Sequence, residues 1–191
     1  MNKPQGRLIV IAGPSGVGKG TLINSVLPRL QNTVLSVSAT TRPRRGDETN
    51  GREYFFLSQA DFDERVSRNE FVEHVHYGKH SYGTLDSEVE KNLGEGKNVL
   101  LEIEVEGARN VRRLYPDAIL IFIAPPSLEE LERRLSGRNT ETAAEIATRI
   151  ERAAQELAAQ DEFDYIVINQ DINQAAAELE SLIKTNLQEA K

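Results

Sequence analysis

The 191-residue chain contains no cysteine. Disulfides, thiolate metal sites and a cysteine nucleophile are therefore excluded, and the composition suits a reducing compartment such as the cytoplasm. Long apolar runs are missing too: "LIVIAG" and "AILIFIA" fall far short of the roughly 20 residues that span a bilayer. Lys3 and Arg7 flank the first run, but no small-residue cleavage site follows, so no signal peptide is expected. Positive charge is in deficit, with 23 Lys and Arg against 30 Asp and Glu and a formal net charge of -7. A broad basic surface for nucleic acid is thereby excluded, and any anion site must be local. No internal repeat and no nucleophile elbow occur, so hydrolytic covalent catalysis has no support. Of His74, His76 and His80, strand spacing puts only the first two on one face. A zinc site needs three or four ligands, so a partly exposed strand is the better reading.

What is present fits one globular domain with small inserted lobes: 39% of residues are hydrophobic and 28% charged. Short runs of Ile, Val and Leu alternate with segments of helical period, the α/β signature. The pattern predicts strands at Leu8–Ala12, Val34–Ser38, Val99–Glu104, Ala118–Ala124 and Tyr165–Ile168. Their apolar character matches parallel strands covered on both faces. Helices are predicted at Lys19–Leu30, Leu85–Leu93, Ala108–Leu114, Leu128–Leu135, Ala143–Gln160 and Gln174–Leu187. Capping-box spacing in "SQAD" at Ser58 and "SLEE" at Ser127 marks two helix starts. From Thr40 to about Thr84 the βαβ rhythm breaks, with "RPRRGDETNGREY" and a strand-like "FVEHVHYG", so this stretch reads as an inserted lobe. The polar, Arg-bearing segment from "GRNTET" to Gln160 exceeds a plain crossover and reads as a mobile flap.

The stretch "GPSGVGKGT" (Gly13, Pro14, Ser15, Gly16, Val17, Gly18, Lys19, Gly20, Thr21) lies between a buried strand and an amphipathic helix. Its glycines permit positive φ and turn successive N–H groups inward, while the next helix aims its positive end at the same point. Lys19 supplies a point charge for the outer phosphates. G-x-x-x-x-G-K in this context is far more specific than a lone G-x-G-x-x-G, and the competing reading is an ordinary glycine-rich βα turn. The usual Ser or Thr after the lysine is here Gly20. Either Thr21 supplies the Mg²⁺-facing hydroxyl, or the ion is held by phosphates and water alone, which Mg²⁺ tolerates.

Arg42, Arg44, Arg45 and Arg52 cluster among turn residues directly after a strand, a candidate for a second phosphate. With these residues the chain strongly resembles guanylate kinases. The resemblance runs nearly end to end through "GPSGVGKGT", "SVSATTRPRRGDETNGREYFF", "NEFVEHVHYGKHSYGT", "LLEIEVEGA", "IFIAPPS" and "GRNTE", in that order.

The resemblance implies a P-loop kinase fold: a parallel sheet flanked by helices (about 1–37, 88–126 and 161–191), a GMP-binding lobe (about 38–87) and a helical lid (about 127–160). It implies an ATP:GMP phosphotransferase that also accepts dGMP and uses Mg·ATP, with the small molecules ATP and GMP as its partners. Ser38 and Thr84 resemble the hydroxyls that contact guanine, and Glu73 the carboxylate that accepts from its N1–H and N2–H₂. Arg42, Arg45, Tyr54 and Tyr82 resemble the clamp on the GMP phosphate. Arg134, Arg138 and Arg149 fall where the lid presents arginines, and Asn169 where the adenine side is met. Glu102 and Glu104, the latter toward GMP, stand where many members carry Asp, and Asn139 replaces a common lid glycine.

Plainer readings of the same residues remain open in the sequence. Glu130 with Arg134 and Glu145 with Arg149 are i,i+4 pairs of the kind that decorate solvated helices. Tyr54 and Tyr82 could simply pack the lobe, and Glu73 could pair with Lys79 or a surface arginine. Two other functions are also open: a noncatalytic guanylate-kinase-like interaction module, and a kinase for another nucleoside monophosphate, since "GKGT" resembles adenylate kinases as well. The retained Gly18 and Lys19 argue against the first, and Ser38, Glu73 and Thr84 against the second.

Overall fold

The computed structural model describes residues 6–136 and 143–188. Elements follow the chain as β1 (Leu8–Ala12), α1 (Lys19–Val26), β2 (Thr33–Leu35), β3 (Ala39–Thr40), β4 (Phe55–Phe56), α2 (Gln59–Ser67), β5 (Phe71–Tyr77) and β6 (His80–Leu85). They continue as α3 (Asp86–Gly94), β7 (Asn98–Glu102), α4 (Val105–Leu114), β8 (Ile119–Ala124), α5 (Leu128–Ser136), α6 (Ala143–Leu157), β9 (Tyr165–Ile168) and α7 (Ile172–Gln188).

One sheet has five strands in the order β2-β7-β1-β8-β9, and a second has four in the order β4-β3-β6-β5. In the first, the β2/β7, β1/β8 and β8/β9 pairs are parallel. Every residue of β1 and β8 is buried, as continuous apolar runs in a sheet covered on both faces should be. The second sheet pairs β3 with β6 and β5 with β6 antiparallel.

Where the expected boundaries shift, local chemistry explains it. The first helix stops at Val26 and tightens into a 3₁₀ turn at Leu27–Arg29, because Pro28 lacks the N–H that an α ladder needs. The expected strand Val34–Ser38 is split: the Ser36 N–H still bonds Leu100 O at 2.9 Å, and the chain then joins the other sheet at Ala39. The last helix begins two residues early because Asp171 Oδ1 accepts from the Asn173 and Gln174 N–H groups, both at 3.0 Å. Both serines cap the helices expected to start there: Ser58 Oγ accepts from Asp61 N at 3.0 Å and Ser127 Oγ from Glu130 N at 3.2 Å.

The chain divides into two compact units, one of residues 1–8, 32–101 and 106–118, the other of residues 9–31, 102–105 and 119–191. Within the first, Ala39, Phe62, Phe71 and Leu85 form a core under the four-stranded sheet, joined by Phe55, Leu57 and Val66. Within the second, Val105, Phe122, Ala124 and Ala159 pack with Leu157 and Phe163, while α1 lies against α7 and α5 against α6. Among the described residues, no helix is long and apolar enough to cross a membrane.

Candidate active site

In the second unit, the loop from Gly13 to Gly18 leaves the buried end of β1 and opens α1. Gly13, Gly16 and Gly18 take φ of 144°, 84° and 100°, values that side chains rarely adopt. Space forbids a side chain as well, since a Cβ on Gly13 would stand 2.2 Å from Ile123 O and one on Gly18 2.7 Å from Asn169 Nδ2. The loop is held from behind by two side chains. Buried Asn169 donates Nδ2–H to Val17 O at 2.7 Å. Arg134 reaches Val17 O at 3.4 Å and Asn169 O at 2.9 Å, while its Nε bonds Glu130 at 2.8 Å.

Arg134 is therefore more than half of a surface i,i+4 pair: it cross-links the loop to the segment after β9. From α6, Arg149 donates to Ser15 Oγ at 2.8 Å. Arg138 and Asn139 lie outside the described residues, and so does the side chain of Glu145.

Lys19 folds back on its own loop, donating Nζ–H to Gly13 O at 2.6 Å and to Pro14 O at 3.2 Å. Burial pushes its pKa down, offset in part by the carboxylates of Glu102, Glu156 and Glu104. Crowding by protein raises the Glu102 carboxyl, with Lys19 pulling the other way. Glu156 is raised by burial and by Glu104, against the pull of Arg152 and Lys19. Arg152 of α6 pairs with Glu104 and, at 3.2 Å, with Glu156. Sequence reasoning missed Arg152 and Glu156, although their i,i+4 spacing was visible. Among the described residues, no group of three His, Cys, Asp or Glu is gathered to hold a metal ion.

In the first unit, register assembles the second constellation. Glu73 on β5 stands opposite Thr84 on β6, and Ala39 stands opposite Gly83, so Ser38 and Thr84 fall at one level of the sheet. The Glu73 carboxylate is buried and its Oε1 accepts from Thr84 Oγ1 at 2.7 Å. Behind it is Gly107 of α4, where a Cβ would come within 3.0 Å of Glu73 Oε2. The sequence displayed that glycine within "VEGA" without showing what it makes room for.

The arginine loop is anchored by Thr40, whose hydroxyl donates to Ser81 O at 3.0 Å and accepts from Arg42 N at 3.1 Å. Arg42 is buried and forms a bidentate pair with Glu48, Nη1 to Oε2 at 3.0 Å and Nη2 to Oε1 at 2.8 Å. Its guanidinium carbon also lies 5.3 Å from the Tyr54 ring centroid and 5.8 Å from that of Phe56. The Glu48 pairing raises the Arg42 pKa, and the bonds Glu48 accepts from the Arg42 guanidinium and from the Arg45 N–H hold its carboxyl below the usual carboxylate range. Arg45 itself is exposed, and Arg44 lies over Phe56 at 5.3 Å. Tyr54 and Tyr82 meet edge to face, centroids 6.3 Å apart, beside the same guanidinium. His76 Nδ1 shares a 2.8 Å hydrogen bond with Ser81 Oγ.

Comparison with known proteins gives one answer. The guanylate kinase family profile matches residues 5–186. The guanylate kinase of Thermotoga maritima is 45% identical over 95% of this chain and 87% of its own length. That of Nocardia farcinica is 48% identical over 95% of this chain and 96% of its own. The crystal structure of guanylate kinase from Anaplasma phagocytophilum superposes with a TM-score of 0.77 at 31% identity, covering 98% of this chain and 89% of that one. Shikimate kinase from Bacteroides thetaiotaomicron, at 16% identity and a TM-score of 0.50, shares the fold alone. These near full-length matches show that the chain is a phosphotransferase of P-loop kinase fold that belongs to the guanylate kinase family.

Proposed function

We propose that the protein transfers the γ-phosphoryl group of Mg·ATP directly to the phosphate of GMP or dGMP, giving ADP and GDP or dGDP, and that it does so in the cytoplasm. The observation that carries this reading is the buried Glu73 carboxylate braced by Thr84. A carboxylate there satisfies the two donors that guanine presents. Adenine offers a ring-nitrogen acceptor and no 2-amino group, which would leave the charge unpaired. Sites built on such pairing reject the mismatched analogue by roughly 10⁴ to 10⁵.

The assignment of roles follows the chemistry of each side chain. Ser38 and Thr84 add hydroxyls for the base, while Arg42, Arg45, Tyr54 and Tyr82 hold the GMP phosphate, with Glu104 beside it. The loop from Gly13 to Thr21 binds the ATP phosphates through its N–H groups. To act, Lys19 leaves the Gly13 and Pro14 carbonyls for the outer phosphates, exchanging neutral acceptors for charged ones. Arg134 and Asn169 keep the loop in shape, and Arg149 and Arg138 bring positive charge from the lid. In this reading residues 38–87 form the GMP-binding lobe and residues 127–160 the lid.

The acceptor phosphate is already ionised, so no strong base and no covalent enzyme intermediate is required. Catalysis reduces to alignment and to neutralising charge on the transferring group. Water must be kept out, since it competes as acceptor, and moving lobes serve that end. Hard oxygen donors border the loop: the exposed Thr21 hydroxyl and the Glu102 carboxylate, whose Oε2 lies 3.5 Å from where a Cβ on Gly20 would stand. Such donors suit Mg²⁺. Thr21 and Glu102 would be the residues to hold the ion, which would supply positive charge against that of the phosphates.

The test is GMP-dependent ADP formation by the wild type, Lys19→Met and Arg42→Ala. Both variants should lose at least about 10²-fold in kcat/KM, the scale of removing one group that stabilises transition-state charge. Near-normal turnover in either folded variant would overturn the reading.

A further inference from the structure

Phe71 and Glu73 lie two residues apart on β5, and in a regular strand such residues share a face. Here they do not. Phe71 belongs to the apolar core, stacked on Phe62 of α2 with ring centroids 4.5 Å apart, whereas Glu73 accepts from Thr84 Oγ1 at 2.7 Å and lies against Gly107 of α4. The pairing with β6 accounts for the difference. Phe71 stands opposite Leu85 and Glu73 opposite Thr84, so two steps along β5 are matched by one along β6, and Val72 is the extra residue of a β-bulge. Residues directly opposite share a face. Leu85 and Thr84 are adjacent and point to opposite faces, and the bulge passes that opposition to Phe71 and Glu73. In unbroken register Glu73 would fall opposite Gly83, on the face of Phe71 and Leu85, and carry its charge toward the apolar core.

Gly83 is what admits the bulge. Its φ lies outside the left-handed region, so conformation does not call for glycine, and a glycine inside a strand weakens it. Space does call for it. A Cβ at this position would stand 2.8 Å from the carbonyl oxygen of Glu73, 2.8 Å from Phe71 Cδ1 and 3.0 Å from His74 Cβ. All three atoms belong to the bulged stretch of β5 and its immediate neighbours.

We propose that Gly83 and the bulge at Val72 form one positioning device, which turns Glu73 away from the core and sets its carboxylate level with Thr84, and that selectivity for guanine depends on it. Gly83 acts through Glu73. The inference rests on the reading that Glu73 accepts from the N1–H and 2-amino group of guanine.

The experiment compares kcat/KM for GMP and for IMP, whose base keeps the N1–H and lacks the 2-amino group, in the wild type, Gly83→Ala, Phe71→Leu and Phe71→Leu/Gly83→Ala. The quantity read is the GMP-to-IMP ratio, which cancels any loss of folded enzyme. The wild type should favour GMP by roughly tenfold or more, because IMP leaves one side of a buried carboxylate unpaired. Gly83→Ala must displace the backbone of Glu73, and misplacement by about 1 Å can cost on the order of 10²-fold, so the ratio should fall by roughly several-fold to tenfold. Phe71→Leu alone leaves the bulge in place and should keep the wild-type ratio. Phe71→Leu/Gly83→Ala removes the ring contact and retains the one with the Glu73 carbonyl, so the ratio should fall there too; this variant decides the matter if Gly83→Ala does not fold. Equal losses on GMP and IMP, with the wild-type ratio retained, would overturn the device and leave Glu73 its role. A wild-type ratio near one would instead remove the guanine reading of Glu73, and the device with it.

Discussion

Arg42 and Glu48 face each other as a two-point fork, with N–O distances of 3.0 and 2.8 Å, and the arginine side of the pair is buried. Glu48 also accepts from the Arg45 N–H at 2.7 Å, so one carboxylate fixes both the side chain of Arg42 and the backbone at Arg45. Among the described residues the Arg42 Nε–H is not engaged by this pair. Glu48 therefore orients the guanidinium and leaves donors for a phosphate. Glu48→Gln keeps the shape and removes the charge, and it should raise KM for GMP on the order of tenfold, with kcat little changed. Steady-state kinetics with varied GMP checks this; a selective fall in kcat would place Glu48 in the chemical step.

Gly107 tests the proposed acceptor pocket from behind. A Cβ at this position would meet Glu73 Oε2, Cγ and Cδ at 3.0, 3.2 and 3.3 Å, so Gly107→Ala must push the carboxylate out of place. Misplacement by about 1 Å can cost on the order of 10²-fold, and the few tenths of an ångström required here correspondingly less. The expected outcome is a loss of roughly several-fold to tenfold in kcat/KM for GMP with ATP-analogue affinity unchanged. Equal loss on both substrates would mean that the substitution disturbs the fold instead.

Asn169 tests the cradle. Its amide is buried and holds Val17 O at 2.7 Å, so Asn169→Ala removes the donor and weakens the brace behind Gly18. Stability should fall by about 1 to 3 kcal/mol, and KM for ATP should rise more than KM for GMP. Thermal unfolding checks the first part, and steady-state kinetics with ATP and GMP varied in turn checks the second.

Glu130 carries a pH signature. Hydrogen bonds from Arg133 and Arg134 hold its carboxyl down at about 2, against an unfolded value of about 4.3. A depressed carboxyl contributes stability that is fully present above the unfolded value and is lost as pH falls toward the folded one. The melting-temperature difference between the wild type and Glu130→Gln should therefore be constant above about pH 5 and shrink between about pH 4.5 and pH 2. A difference independent of pH across that range would contradict the pairing.

Much of this was legible in the sequence because the signals were local. Strands Leu8–Ala12 and Tyr165–Ile168 announce themselves as apolar runs, Ser58 and Ser127 as caps, and the glycine cradle as spacing. Membership in the guanylate kinase family was legible too, as six ordered motifs. What stayed hidden depends on contacts distant in sequence. Nothing in "EGA" says that Gly107 makes room for a residue 34 positions earlier, Glu73. Nothing in "ERAAQE" says that Arg152 meets Glu104. The departure at Gly20 was visible at once, but its neighbour was not, because only the fold brings Glu102 beside it.

The most direct test of the central claim is the acceptor preference of the purified protein, read as kcat/KM for GMP against AMP, with dGMP, CMP, UMP and a no-acceptor control alongside. A buried Glu73 that reads guanine predicts a GMP-to-AMP ratio of at least about 10⁴, with turnover on dGMP and none without acceptor. A ratio near one, or ADP formation with no acceptor required, would contradict it.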